Sequence, residues 1–252
     1  MSMQMVKRQI RHIWKWPKDD ALTLVAGSNR STNLTSMEGF MSQIRQFMAV
    51  LVLAAVGLVG CAHESRSVAD VNPASVADTK AALRDLWAGH IFWIRNVVLD
   101  NATNNPAAQD IAEKEVVANA KQIASTITPF YGEVASEKLF TLLAGHYGAV
   151  KEYSEATVAG NKRQQDAALA HYVSNTDEIA AFLSGANPYL PKDTVRGLIA
   201  AHGAHHVAQI TQFQERDYAH EAETWQVMRQ HVYVIADALT TALAKQFPAR
   251  FS

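Results

Sequence analysis

The sequence predicts an all-α protein, an antiparallel up-and-down bundle of four or five main helices, and three observations lead there. From Val76 onward apolar residues recur at three- and four-residue steps with little interruption. No run alternates as a half-buried strand would, and neither an Asn-Gly hairpin signal nor a glycine-rich phosphate loop occurs. The breaks between periodic segments are short, which favours antiparallel neighbours.

The first segment, Val76 to about Asn101, carries Leu83, Trp87, His90, Ile91, Ile94 and Val98 on one stripe. Asn101-Ala-Thr-Asn-Asn-Pro106 ends it, and Pro106 is placed to open the next helix. Gln109 to Thr126 is shorter and more weakly striped (Ile111, Val116, Ile123), and stops at Pro129 and Gly132. Ala135 to Ala159 places Leu139, Leu142, Leu143, His146, Val150 and Tyr153 on one face, with Gly160-Asn161 as its stop. Gln164 to Ser184 groups Leu169, Tyr172, Ile179 and Leu183, before Gly185-Ala-Asn-Pro188. Asp193 is the expected N-cap of a helix running to about Arg216, with Val195, Leu198, Ile199, His202, His206, Ile210 and Phe213 on its stripe. The last helix starts near Ala219, carries Val227, Met228, His231, Val234, Ile235, Ala238 and Leu239, and stops before Pro248.

Ahead of this bundle (residues 74–252) lies a stretch of another kind. Residues 41–60 have the layout of a lipoprotein signal peptide: Arg45 in a short basic start, an uncharged run from Phe47 to Gly60, then Leu58-Val59-Gly60-Cys61. The run is too short for a comfortable membrane span, which needs roughly 20 apolar residues. Small residues before a lone cysteine are what lipoprotein processing needs, so Cys61 is the expected lipidation site and the first residue of the mature chain. Ala62 after it, in place of Asp, resembles lipoproteins sent to the outer membrane, and implies a periplasm-facing, lipid-anchored location. More than one acyl chain is needed for stable anchoring. Residues 61–73 are small and polar, a tether between lipid and domain. Residues 1–40 include Lys7, Arg8, Arg11, Trp14, Lys15 and Trp16 without a sustained apolar period. A signal peptide works at a chain's N-terminus, so translation is expected to begin at Met41, with residues 1–40 a mis-annotated extension.

Composition narrows the chemistry. A formal net charge of −1 gives no basic field for nucleic acid. A single cysteine excludes an internal disulfide and a cysteine-based zinc site, and Cys-x-x-Cys-His, the signature of covalent haem, is missing. No nucleophile elbow, HExxH or paired-carboxylate motif appears, so the sequence leans away from an enzyme. His220, Glu221 and Glu223 look like a solvated helix start, where acidic residues complement the helix dipole.

Histidine placement is the unusual feature. His90, His146, His202, His206 and His231 fall on apolar stripes of four different helices, whereas His171 lies among polar neighbours and His205 at the edge of its stripe. A buried neutral imidazole seeks a hydrogen-bond partner or a metal for its ring nitrogens. His202 and His206, four residues apart, share one helix face, which suits two ligands to one ion. With His90, His146 or His231 opposite, an all-nitrogen site for zinc, copper or iron is expected, and Asp237 is a candidate ligand or orienting carboxylate. The competing expectation makes these histidines satisfied core groups of a structural or interaction lipoprotein without a ligand. Arg95 is expected to pair with Asp85 or Asp237.

Leu86-Trp87-Ala-Gly-His90-Ile-Phe-Trp93-Ile-Arg95 resembles the LW-x-x-H-x-x-W-x-R start of a group of small bacterial exported helical-bundle proteins. The likeness continues through Pro129-Phe-Tyr131-Gly132, the His146 helix, Asp177 to Leu183 with Asn187-Pro188, and Lys245-Gln-Phe-Pro248. The resemblance implies a helical bundle and histidines at the positions of His90, His146 and His202. It brings no assigned activity. The expected function is therefore binding of a transition metal or small ligand in a histidine-containing bundle pocket.

Overall fold

The computed structural model describes residues 71–252. The segments expected to be signal peptide and upstream extension, Cys61, and nearly all of the expected tether lie outside the described residues. Seven α-helices follow: α1 (Pro73–Ala102), α2 (Pro106–Ser125), the single turn α3 (Thr128–Tyr131), α4 (Glu133–Val158), α5 (Lys162–Ala186), α6 (Lys192–Glu215) and α7 (Tyr218–Gln246). A 3-10 turn, Pro248–Arg250, closes the chain, and there is no strand among the described residues. The protein is all-α. Among the described residues the long helices number six, because α2, despite its weaker stripe, buries Ala112, Val116, Ala120 and Ile123 as fully as its neighbours bury theirs.

Local chemistry sets the helix ends. Asn72, Asn105, Asn161 and Asp217 each accept a hydrogen bond from a backbone N–H of the helix they start, and Pro73 and Pro106 follow the first two. The expected cap Asp193 lies instead within the first turn of α6, whose N-cap is Pro191; a carboxylate there still faces the positive helix end. Gly160 ends α4 with φ 65°, a conformation that costs a glycine little.

The bundle is built from one unit used three times. His90, His146 and His202 are equally spaced, 56 positions apart, and each follows a leucine by four residues (Leu86, Leu142, Leu198). The same interval links Ile123-Ala124, Ile179-Ala180 and Ile235-Ala236 on the helices that follow, and it links the caps Asn105, Asn161 and Asp217. One hydrogen bond recurs with it. Asn119 Nδ2 donates to the Leu86 carbonyl at 3.0 Å, Asn175 Nδ2 to the Leu142 carbonyl at 3.0 Å, and His231 Nε2 bonds the Leu198 carbonyl at 2.8 Å. Each unit is therefore a helical hairpin, α1–α2, α4–α5 or α6–α7, pinned at the same level by a side chain of its second helix.

Three hairpins close into a ring: α2 packs on α4, α5 on α6, and α7 on α1. The first helices α1, α4 and α6 also touch one another across the middle. This pattern is compatible with the expected up-and-down order. Equivalent stripe residues meet in layers on α1, α4 and α6. Leu83, Trp87, Leu139 and Leu143 belong to one apolar cluster, with Val195 and Ile199 in the cluster beside it. Further along the same helices, Ile94, Val98, Val150 and Ile210 belong to another. Between these layers lies a layer of histidine.

Candidate metal centre

Each hairpin contributes one histidine from its first helix to that middle layer. The ring centroids of His90, His146 and His202 form a near-equilateral triangle, with sides of 5.5, 5.5 and 6.3 Å. His206, one turn beyond His202 on α6, sits over it with Nε2 3.1 Å from His202 Nε2. All four side chains are at most 2% exposed. One ring nitrogen from each lies within 4.8 Å of the others, so the four could hold a metal ion.

The arrangement depends on neighbours that bring the helices close. Gly89 precedes His90 and Gly145 precedes His146; a Cβ on either would stand 3.1 or 3.0 Å from the amide nitrogen of Asn119 or Asn175. Both amides reach the helix where a larger side chain would hold them off. Gly203, next to His202, has the Tyr172 ring lying where its Cβ would be. That approach lets the Tyr172 hydroxyl donate to the Ile199 carbonyl at 2.8 Å. With its proton committed there, the hydroxyl oxygen can accept from His146 Nε2–H at 3.4 Å. His146 Nδ1 then carries a bare lone pair.

The nitrogens are poorly served by the protein itself. His90 Nδ1 and Nε2, His146 Nδ1 and His202 Nδ1 are buried without a hydrogen-bond partner. A buried polar atom left unpaired costs about 1–3 kcal/mol. Four in one layer call for something to bind. Burial, reinforced by the neighbouring His146, pushes His90 down to about 3, and burial takes His146 down to about 4. His202 and His206 are held well below the ordinary histidine value by burial, with the surrounding imidazoles adding to it. The whole layer is neutral at pH 7. Its lone pairs are free of protons, the form in which imidazole ligates a metal.

Two of the six expected ligands are placed elsewhere. His231 is half-buried and bonds the Leu198 carbonyl, the role Asn119 and Asn175 have in the other hairpins. Asp237 faces the bundle's outside, where Arg84 grips it through two hydrogen bonds of 2.6 and 2.7 Å and Lys80 stands at 3.6 Å. It is therefore neither a member of the cluster nor an orienting carboxylate for it. His205 is pushed down to about 4 by burial and by His231, whose ring is 5.4 Å away, and it too lies outside the group of four.

Arg95 pairs with neither Asp85 nor Asp237. Its guanidinium makes a two-pronged bond to Glu221, at 2.7 and 2.6 Å. Glu221, expected at a solvated helix start, is 2% exposed and also accepts from Gln209 Nε2 at 2.9 Å. The apolar stripe of α7 marks the position: Met228, Val232 and Ile235, carried back through Trp225, reach Glu221. Gln209 lies one turn from His206 on α6, so this half-buried ion pair adjoins the histidine layer along the same helix.

No family model, no curated protein and no solved structure matches the chain.

Proposed function

We propose that the protein binds one transition-metal ion through His90, His146, His202 and His206, as a lipid-anchored protein of the Gram-negative envelope. One observation carries the metal reading: four buried, neutral imidazoles converge, and several of their nitrogens have no partner. A satisfied structural core would have given those nitrogens hydroxyls, amides or carbonyls, as it does for His231.

An all-nitrogen set favours zinc or copper, with iron next, and disfavours magnesium and calcium, which take oxygen ligands. Zinc bonds imidazole at roughly 2.0–2.1 Å, so nitrogens around a tetrahedral ion stand about 3.3 Å apart. The His202–His206 separation of 3.1 Å is already close to this. The wider members of the set have to move inward by about an ångström or so, within the reach of small side-chain rotations. The lipid anchor rests on Leu58-Val59-Gly60-Cys61 behind its apolar run.

The test is elemental analysis of the full chain, purified without an affinity histidine tag or chelators. About one equivalent of zinc, copper or iron is expected. His90→Ala/His202→Ala should lose it, and His231→Ala should keep it. An ion in large excess over its Kd, about a thousandfold, stabilises the folded state by about 4 kcal/mol, a rise in Tm on the order of 10 °C. A metal-free native protein whose Tm ignores added zinc, copper and iron would sink the metal reading. Mass spectrometry of the native N-terminus tests the anchor separately: acylated Cys61 is expected, and a mature chain that retains peptides from residues 1–40 overturns it.

A further inference from the structure

Beside the histidine layer lies a cavity of about 60 Å³. The unit that places the histidines also builds its walls. Trp87, Leu143 and Ile199 stand one helical turn before His90, His146 and His202, and Leu83, Leu139 and Val195 stand one turn further along. Equivalent side chains from three hairpins thus surround one space on the bundle's internal axis. Trp87 lies edge-on to His90 and His202, at 5.5 and 6.1 Å between rings, so the cavity's wall is the histidines' neighbour. His206 occupies the opposite side, one turn beyond His202. The side of the histidine triangle left without a fourth imidazole is the side towards the cavity.

The chemistry of this space selects its occupant. Walls made mostly of leucine, isoleucine and valine offer a water little to bond, and apolar cavities of this kind stay dry. An apolar cavity of about 150 Å³ takes benzene or xenon. One of about 60 Å³ holds a molecule of roughly two or three heavy atoms. Of the polar side chains in the wall, Thr126, Tyr131 and Asn187 are committed to hydrogen bonds elsewhere, and the Trp87 Nε1–H is buried without a partner.

We propose that this axial cavity binds a small apolar gas of about the size of dioxygen, alongside the histidine layer. Occupancy of the cavity stands on its walls alone; its meaning for a bound ion rests on the metal reading above. An ion held by the four histidines would have its least covered side towards the gas.

The experiment uses xenon as the probe, on the full chain, both after chelator treatment and after reloading with zinc. Xenon-129 chemical-shift titration is expected to show saturable binding in both forms, and crystals under xenon pressure should show the atom between Trp87, Leu143 and Ile199. Leu143→Phe, which fills the space, should lower the affinity at least tenfold while the metal content stays as in the parent. If Leu143→Phe does not fold, Ile199→Ala decides, since its enlarged cavity should retain xenon. Linear, unsaturable shifts, or a xenon atom seated elsewhere, overturn the proposal. Because the chelated protein is measured as well, failure of the metal reading leaves the xenon result standing, and the reverse holds.

Discussion

A histidine ring can be charged or neutral near physiological pH, and its surroundings decide which. His90, at about 3, and His146, at about 4, refuse a proton that the unfolded chain accepts near its ordinary value of about 6.5. Above that pH both states are neutral and the difference has no effect. As pH falls below it, unfolded histidines take up protons and folded ones do not, so stability declines until the folded values are reached. Each ring contributes up to about 1.4 kcal/mol per pH unit across this window. His202 and His206 act in the same direction. The metal-free protein is therefore expected to lose several kcal/mol between about pH 6 and pH 4, a large part of a typical stability of roughly 5–15 kcal/mol. Urea midpoints measured across this range check it; a flat profile contradicts a buried neutral layer.

For the helices, close approach decides more than propensity. Gly203 and Gly197 both lie inside α6, and an alanine would favour the helix by about 1 kcal/mol at either position if nothing stood near. Nothing stands within 4 Å of a Cβ at Gly197, whereas at Gly203 the Tyr172 ring occupies the place. Gly197→Ala should raise stability by about 0.5–1 kcal/mol. Gly203→Ala should lower it by about 1–3 kcal/mol, as overpacked cores do, and should loosen Tyr172 from the Ile199 carbonyl and His146. Thermal melts of the two variants compare them directly. Equal shifts would mean that Tyr172 does not need the missing side chain.

The bundle formed by the described residues is a threefold use of one hairpin, and the repeat carries its own consequence for stability. Asn119 and Asn175 are 6% and 5% exposed, and each donates to a leucine carbonyl one turn before a site histidine. Each also leaves its Oδ1 unpartnered. Equivalent bonds in equivalent surroundings predict that Asn119→Ala and Asn175→Ala each cost about 1 kcal/mol. The double variant should cost the sum within about 0.5 kcal/mol, since the two residues serve different hairpins. Denaturant titration of the three variants tests this, and costs differing severalfold would count against equivalence.

The class of the fold and most helix boundaries could be read from the linear order of residues. Apolar period, proline and asparagine caps act within a few residues, and such signals are present in the linear order. That order also singled out His90, His146, His202 and His206, together with His231, because a polar ring on an apolar stripe is visible without knowing its neighbours. The equal steps between Leu86-x-x-x-His90, Leu142-x-x-x-His146 and Leu198-x-x-x-His202 were legible too, as a repeat whose meaning emerges once the hairpins are seen to close a ring. Which stripe residues share a level emerged from the packing of the hairpins. That packing put His231 on a backbone carbonyl, Asp237 on Arg84 and Lys80, and Glu221 under Arg95. The physical reason is that a helix's stripe fixes the direction of a side chain but not its height against other helices. Height is set by packing within and between hairpins: a glycine that admits Asn119 or Asn175 inside its own hairpin, another that admits Tyr172 from the neighbouring one, and the layers that bring four histidines together.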